Sequence, residues 1–211
     1  NEKMLKIRNL SHFYQEKQVF SISNWEIHEG ESWLILGKSG SGKSTLLHIL
    51  AGLLSPTQGQ IFFHETELTQ LKGEKLDLFR AKNIGFVFQK SHLVQTLSVL
   101  DNLLLVPFLA KEKASKEKAE NLLSKLNILH KKKDLPKNLS QGEQQRTSIA
   151  RALMLSPKLI LADEPTASLD DENAHEVIAL FKQISQELNA TLLIATHDQR
   201  IKNQFSNIFQ M

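Results

Sequence analysis

Short apolar runs alternate along this chain with longer stretches of helical periodicity. Leu5–Leu10 and Val19–His28 alternate apolar and polar residues, which predicts two half-buried strands, although the alternation in the second run is imperfect. Further strands are predicted at Trp33–Leu36, Ile61–Phe63, Ile84–Phe88, Leu159–Ala162 and Thr191–Ala195. The last two runs are apolar throughout, as is typical of central parallel strands with both faces covered.

Helical patterns occupy the regions between these strands. The first helical pattern begins shortly after Trp33–Leu36. The second covers residues 98–155, with breaks at Pro107 and at 134–137, and the third covers residues 170–188. Strand–helix alternation at both ends of the chain predicts an α/β fold with a mainly parallel sheet. We expect 1–211 to form a single domain, in which 1–89 and 158–211 make the core and 90–157 is an inserted helical subdomain.

Composition excludes several classes of protein. The 211 residues include 41% hydrophobic and 23% charged residues, as in an ordinary globular domain, and no cysteine, so disulfides and thiolate metal sites are excluded. The longest apolar run is Leu103–Ala110, whereas a membrane-spanning helix needs about 20 residues. The net charge of +3 is too small to indicate nucleic-acid binding, and we expect none.

The positive charge is concentrated between Lys111 and Lys137, a stretch that contains nine lysines and only four acidic residues. Two interpretations are open. The lysines form a solvated helix face that adds solubility, or some of them attract anionic lipid headgroups.

A glycine-rich segment directly after Trp33–Leu36 carries the strongest chemical signal. It fits the phosphate-binding pattern G-x-x-x-x-G-K-[ST] between a strand and a helix, the context that this pattern requires. Its backbone N–H groups and the start of the following helix favour bound phosphate. Lys43 is expected to reach the β- and γ-phosphates and Ser44 to ligate Mg²⁺. The nine residues are Gly37, Lys38, Ser39, Gly40, Ser41, Gly42, Lys43, Ser44 and Thr45.

Two adjacent carboxylates, Asp163 and Glu164, end the apolar run Leu159–Ala162. Neighbouring side chains on a strand point to opposite sides, so the two acids are expected to have different roles. Asp163 suits Mg²⁺ coordination, and Glu164 suits orienting and deprotonating an attacking water. The alternative, two solvated acids at the start of a loop, is less favoured beside a phosphate-binding loop.

A second helix start, Ser140-Gln141-Gly142-Glu143, has the spacing of a capping box. Such a helix start also attracts anions, and Gly142 allows close backbone approach to a phosphate. One nucleotide on one chain does not obviously need two phosphate-directed helix starts.

The order of these motifs resembles the ATP-binding subunit of ABC transporters along essentially the whole chain. Leu139-Ser140-Gln141-Gly142-Glu143 is similar to the family signature, although Gln141 stands where the family commonly has glycine and Glu143 where many members have glutamine. The resemblance implies a P-loop NTPase core with an N-terminal antiparallel β portion. It also implies a homodimer closed by ATP, in which Ser140, Gln141, Gly142, Glu143 and Asp170 contact the nucleotide bound by the other chain.

Other family marks occur in the same order. Tyr14 matches the aromatic residue that stacks on adenine, and Gln89 matches the glutamine that links Mg²⁺ and water to the membrane subunit. His197, 33 residues after Glu164, matches the switch histidine at the γ-phosphate. The resemblance therefore implies Glu164, His197 and Gln89 as catalytic residues and Ser44, Gln89 and Asp163 as Mg²⁺ ligands.

Five stretches of the sequence are similar to the subgroup of lipoprotein-releasing, macrolide-exporting and cell-division ATPases: Ile84–Gln89, Thr96–Asn102, Leu105–Pro107, Gly142–Arg146 and Ile149–Leu153. We therefore expect an ATPase subunit at the cytoplasmic face of the cell membrane, working beside an integral membrane subunit. Part of Leu93–Leu109, with Leu97 and Val99 as candidates, is expected to form a groove for that subunit. Alternatives are an amino-acid importer ATPase and a soluble ABC-type ATPase without a transport role. A P-loop nucleotide kinase is disfavoured, because it needs neither the signature nor the acid pair.

Overall fold

The computed structural model describes residues 2–211 as nine strands and six α-helices. In chain order these are β1 (Lys3–Tyr14), β2 (Lys17–His28), β3 (Ser32–Leu36), α1 (Lys43–Leu50), β4 (Gln58–Phe63), β5 (Thr66–Glu67), α2 (Gly73–Asn83), β6 (Ile84–Val87), α3 (Val99–Leu109), α4 (Lys116–Lys125), α5 (Gln141–Ala152), β7 (Leu159–Asp163), α6 (Asp171–Glu187), β8 (Thr191–Thr196) and β9 (Asn207–Gln210).

The strands form two sheets. One is antiparallel with the order β2-β1-β4-β5, and the other is parallel with the order β6-β7-β8-β3-β9. The predicted α/β class, with a parallel sheet and an N-terminal antiparallel portion, is confirmed. Because all five strands of the second sheet are parallel, their carboxyl ends share one edge, which is where such sheets bind ligands.

Two apolar cores cover the two faces of the parallel sheet. On one face, Leu34, Ile160 and Ile194 pack with buried residues of α3, α4, α5 and α6. On the other face, Ile35 and Leu161 pack with α1 and with the antiparallel sheet. The central strands β7 and β8 are buried along their whole length, as their uninterrupted apolar sequences predict.

The side of β1 that faces the core changes partway along the strand, and the cause is local to the backbone. Asn9 interrupts β1 with a positive φ of 47°, and the register between β1 and β4 shifts between Arg8 and Ser11. Opposite it, Gly59 has φ +99° and approaches so closely that a Cβ would lie 2.4 Å from the Asn9 carbonyl oxygen. The buried side of the strands changes at this point, so that Ile7 and Leu10, three residues apart, are both in the core.

The helical region departs from the sequence prediction at one proline. A break was predicted at Pro107, but α3 continues through it to Leu109. The prediction was wrong because a proline this near the end of a helix disturbs little of the remaining backbone hydrogen bonding. Ser98 caps the start of the helix, and its hydroxyl accepts from the Asp101 backbone N–H at 3.1 Å.

Four of the nine lysines of the basic segment lie beside acids. Lys132 and Lys116 both approach Glu120, at 3.0 and 3.9 Å, Lys131 lies 3.7 Å from Glu143, and Lys125 pairs with Glu187. This pairing favours the interpretation of a solvated, salt-bridged face. Within residues 2–211, no helix is both long enough and apolar enough to cross a bilayer.

Candidate functional site

Four neighbouring strands of the parallel sheet deliver the predicted residues to one edge. β3 leads into the glycine-rich loop, β6 into Gln89, β7 into Asp163 and Glu164, and β8 into His197. An open cleft of about 590 Å³ lies there, lined by residues of all four segments and of the β1–β2 hairpin. It brings together Tyr14, Lys43, Gln89, Glu164 and His197, although these residues are far apart in the sequence.

The glycine-rich loop has the backbone that its sequence predicts. Gly42, the residue before α1, adopts φ +94°, and a Cβ there would lie 2.6 Å from a methyl carbon of Val19. A Cβ on Gly37 would lie 2.5 Å from the Ser41 hydroxyl. Both positions therefore need glycine. Gly42 needs it for its backbone conformation and for packing, and Gly37 needs it for packing alone.

The ammonium group of Lys43 lies inside this loop. It donates to the carbonyl oxygens of Gly37 at 2.8 Å and Lys38 at 3.1 Å, and it lies 3.7 Å from Oε1 of Glu164. The side chain is 5% exposed, so this positive charge is held at the floor of the cleft. A buried ammonium beside open backbone N–H groups is suited to a polyphosphate.

Glu164 is fixed by the end of β8. Its Oε2 accepts from the Thr196 hydroxyl at 2.7 Å, and its Oε1 accepts from the His197 backbone N–H at 3.1 Å and lies 2.9 Å from Nδ1 of the same histidine. Glu164 itself has φ +47° and donates its backbone N–H to the Ala195 carbonyl. The turn after β7 thus directs this carboxylate across to β8 and into the cleft.

Asp163 has a different environment from its neighbour. It is the last residue of β7, it is buried, and its Oδ1 has no hydrogen-bond partner within the described chain. Burial raises the pKa of the Asp163 carboxyl above its usual range; a hydrogen bond from the Ser44 hydroxyl opposes this shift, and the Glu164 carboxylate adds to it. A divalent cation would favour the charged form, and carboxylate and hydroxyl oxygens are the donors that Mg²⁺ prefers.

The β1–β2 hairpin forms the outer wall of the cleft. Tyr14 ends β1 and is 56% exposed, and its ring meets the ring of the buried His12 edge to face, with centroids 4.9 Å apart. Lys17 and Gln18 begin β2 and also line the cleft. The exposed tyrosine face is thus held on a packed hairpin, in a position suited to stacking on a flat ring.

The second predicted phosphate-directed helix start lies outside this cleft. Ser140 caps α5, and the capping box is confirmed, since Ser140 Oγ accepts from the Glu143 N–H at 3.2 Å and Glu143 Oε2 accepts from the Ser140 N–H at 2.8 Å. Burial alone would raise the pKa of Glu143, but these hydrogen bonds from Ser140 bring it below its usual range. Gln141 is exposed, and a Cβ on Gly142 would meet only a Leu169 methyl carbon, at 3.7 Å.

Asp170 likewise does not line the cleft. It caps α6, where its carboxylate accepts from the backbone and side-chain N–H groups of Asn173 at 2.9 and 2.8 Å. These hydrogen bonds hold the pKa of Asp170 below its usual range. The structure therefore gathers the residues predicted to bind nucleotide on the same chain, and it leaves those predicted to act on another chain at exposed helix starts.

A separate apolar groove is formed by β6 and the helices α2, α3 and α5. Its cavity of about 350 Å³ is lined by Phe86 of β6, by Phe88 just after β6, by Val106 and Leu109 of α3, and by neighbouring residues of α2 and α5. Part of the predicted segment Leu93–Leu109 therefore lines a groove. Val99, however, is fully buried, so substituting it would test folding rather than docking.

Thr196 was missed by the sequence reasoning. Its hydroxyl contacts Glu164 directly, and its position as the last residue of a buried strand, next to His197, was the signal that could have indicated it. Lys17 and Gln18 were missed because the predicted strands ended at Leu10 and began at Val19, whereas β1 continues to Tyr14 and β2 begins at Lys17.

Comparison with known proteins agrees with this geometry. A family model described as ABC transporter matches residues 20–167. The lipoprotein-releasing system ATP-binding protein LolD of Idiomarina loihiensis is 37% identical, over 97% of this chain and 92% of that protein. The ABC transporter ATP-binding protein YtrE of Bacillus subtilis is 36% identical, over 99% of this chain and 94% of its own length.

Among solved structures, the ATP-binding cassette MJ0796 in a dimeric post-hydrolysis state, bound to ADP and Pi, superposes with a TM-score of 0.89. It is 32% identical and covers 99% of this chain and 94% of its own. The family match, the relatives, the solved structure and the residues of the cleft all lead to the same conclusion. The chain belongs to the ABC transporter family as one of its ATP-binding, ATP-hydrolysing cassettes.

Proposed function

We propose that this cassette hydrolyses Mg²⁺-ATP at a site shared between two copies of the chain and thereby drives an integral membrane subunit of a lipoprotein-releasing type of system. The observation that carries the proposal is the single cleft that collects the glycine-rich loop, Tyr14, Gln89, Glu164 and His197. The identity to LolD supports the type of system.

ATP binding is assigned to the floor and outer wall of the cleft. The loop Gly37–Thr45 surrounds the phosphates with N–H groups, and the Lys43 ammonium exchanges its carbonyl partners for phosphate oxygens. Tyr14 stacks on the adenine ring with its exposed face. These groups hold the terminal phosphoryl group near Glu164.

Glu164 is the proposed general base for the attacking water. Its carboxylate is already oriented by Thr196 and by the His197 backbone, so little reorganisation precedes proton transfer. The His197 side chain is 58% exposed toward the cleft and is placed to contact the γ-phosphate.

Ser44, Asp163 and Gln89 are the residues that would hold Mg²⁺. The orphaned Oδ1 of Asp163, the Ser44 hydroxyl beside it and the Gln89 amide oxygen at the end of β6 form a set of hard oxygen donors. When bound, the ion neutralises charge on the β- and γ-phosphate oxygens.

A second copy of the chain would complete the site. Ser140, Gln141, Gly142 and Glu143 at the start of α5, and Asp170 before α6, are not among the residues that line the cleft of their own chain. A Cβ on Gly142 would contact only a Leu169 methyl carbon, at 3.7 Å, so the backbone there is accessible to a phosphate from outside. The dimeric state of the MJ0796 cassette supports a head-to-tail pair in which these residues contact the other chain's ATP.

We also propose that residues 90–157 form a helical subdomain on a core of 1–89 and 158–211. The support is that α3, α4 and α5 lie within the former range, whereas every strand of both sheets lies within the latter two.

The apolar groove is the proposed contact for the membrane subunit, which would place the cassette at the inner face of the membrane. We expect Leu109→Asp, at a 69% exposed groove position, to remove co-purification with the integral membrane subunit while ATP binding persists. Leu78→Asp is the matched control, because Leu78 is 51% exposed on α2 but does not line the groove. Equal membrane recovery of both variants would contradict the docking proposal.

A further inference from the structure

A chain of hydrogen bonds leads from Glu164 away from the cleft. The Thr196 hydroxyl donates to Glu164 Oε2 at 2.7 Å and accepts from the Asp198 backbone N–H at 2.9 Å. The Thr166 hydroxyl, fully buried two residues after Glu164, donates to Asp198 Oδ2 at 2.9 Å. Asp198 is thereby tied to both segments that position Glu164: its carboxylate contacts the loop after β7, and its backbone N–H contacts the end of β8.

The guanidinium of Arg200 binds both oxygens of the same carboxylate. Its Nε donates to Asp198 Oδ1 at 2.9 Å and its Nη2 donates to Oδ2 at 2.8 Å, which is the bidentate geometry that strengthens such pairs. The Asp198 side chain is only 8% exposed, so solvent screens this pair less than a surface pair.

The remaining donors of Arg200 reach the loop that precedes α6. Nη1 and Nη2 each lie 3.4 Å from the Leu169 carbonyl oxygen, and Nη1 also pairs with the Asp171 carboxylate. The planar fork therefore bridges two loops that are about 30 residues apart in sequence, which a lysine ammonium could not do with the same geometry.

We propose that Arg200 is a positioning residue that fixes the loop Ser168–Asp170 relative to Glu164, so that contact of this loop with a second chain is transmitted to the carboxylate that activates water. The inference rests on the proposed two-chain site, in which Asp170 faces the partner. The Arg200 side chain does not line the nucleotide cleft and is therefore not itself catalytic.

The test is Arg200→Gln, which removes the fork but keeps a polar side chain of similar reach. We expect kcat for ATP hydrolysis to fall about 3- to 10-fold, the scale of losing a bidentate but partly exposed contact. KM and the Kd of the monomer for ATP should change by less than about twofold, since the cleft contacts remain. Arg200→Lys, which keeps the charge without the fork, should recover only part of kcat.

Lys202→Gln is the matched control, because Lys202 is exposed on the same short 3-10 helix and its side chain forms no hydrogen bond within residues 2–211. An unchanged kcat in Arg200→Gln, or full recovery in Arg200→Lys, would overturn the proposal. So would a fall in kcat accompanied by equal losses of ATP affinity and Tm, since that pattern marks a general structural role. Failure of the two-chain proposal is distinguishable, because the hydrolysis-deficient variant Glu164→Gln would then show no ATP-dependent dimer.

Discussion

Asp163 and Glu164 are consecutive acids whose surroundings assign them opposite tasks. Asp163 ends a buried strand with an oxygen that has no partner in the described chain, whereas Glu164 turns away through a positive φ and is held by Thr196 and His197. The first arrangement suits a cation and the second suits a base of fixed orientation. The different environments of the two carboxylates therefore result from the single backbone turn at Glu164.

Glu164→Gln tests the role of the base directly. The amide keeps the shape and the contact with Thr196 but cannot accept the proton from water, so hydrolysis should fall about 10²–10⁴-fold while ATP binding persists. ATP should then hold the variant as a dimer, which size-exclusion chromatography with light scattering would detect. Glu117→Gln, at an exposed residue of α4, is the control. Turnover close to that of the wild type in Glu164→Gln would reject the assignment.

Asp198 gives a prediction for pH. Its hydrogen bonds from Arg200, with further ones from Thr166, lower its pKa to about 2 from an ordinary value of 3.8. A depressed pKa in the folded state means that the carboxylate stabilises the fold above pH 4 and that this stabilisation is lost as the pH falls toward 2. The contribution at neutral pH is about 2 kcal/mol.

The corresponding measurement is urea unfolding of the wild type and Asp198→Asn at several pH values. We expect the variant to be less stable at pH 7 and the difference to shrink steadily below pH 4. A difference that stays constant between pH 7 and pH 2.5 would show that the charge of Asp198 is not what stabilises the loops.

At the scale of elements, the antiparallel sheet depends on the paired irregularity of Asn9 and Gly59. The positive φ of Asn9 changes which side of β1 is buried, and Gly59 accommodates the displaced backbone. Because β1 carries Tyr14 at its far end, this irregularity helps determine which face the tyrosine presents to the cleft.

Gly59→Ala should therefore lower the free energy of unfolding substantially. Strain at a positive φ costs about 1–3 kcal/mol, and the Cβ contact of 2.4 Å with the Asn9 carbonyl adds overpacking of similar size. Gly73→Ala is the matched control, since Gly73 also has a positive φ, +54°, but a Cβ at that position would lie in open space. Chemical denaturation should show a larger loss of unfolding free energy for Gly59→Ala than for Gly73→Ala. Equal losses would show that the close approach of Gly59 to the Asn9 backbone does not contribute.

At the scale of the molecule, the sequence predicted those features that are determined by residues close together in the chain. The glycine-rich loop and the buried central strands are local patterns, and each has the predicted structure. The acid pair ends a buried strand as predicted, but the two side chains are separated by the positive φ of Glu164 and not by alternation along the strand. Helix α2 was missed because it has no fully buried residue and hence little apolar periodicity, and β9 is a half-buried edge strand. The hydrogen bond from Arg200 to the Leu169 carbonyl joins two loops that are distant in sequence, and no local sequence pattern predicts that these loops lie side by side.

The two-chain site makes a prediction that concerns the whole assembly. Lys43→Ala should disable the phosphate-binding loop of one chain. Gly142→Glu should disable the start of α5 by placing a carboxylate against the γ-phosphate, yet an acid in the first turn of a helix does not oppose folding. Each variant alone should hydrolyse little ATP, because both sites of its dimer are defective.

In an equal mixture of the two variants, half of the dimers are mixed. Each mixed dimer has one site made from the intact loop of one chain and the intact helix start of the other. ATPase activity should then rise to about a quarter of the wild-type value, well above the mean of the two variants. If Ser140–Glu143 acted instead on the nucleotide of its own chain, every site in the mixture would remain defective and mixing would restore nothing. Measuring activity against mixing ratio separates the two arrangements, because only the shared site gives a maximum at equal amounts.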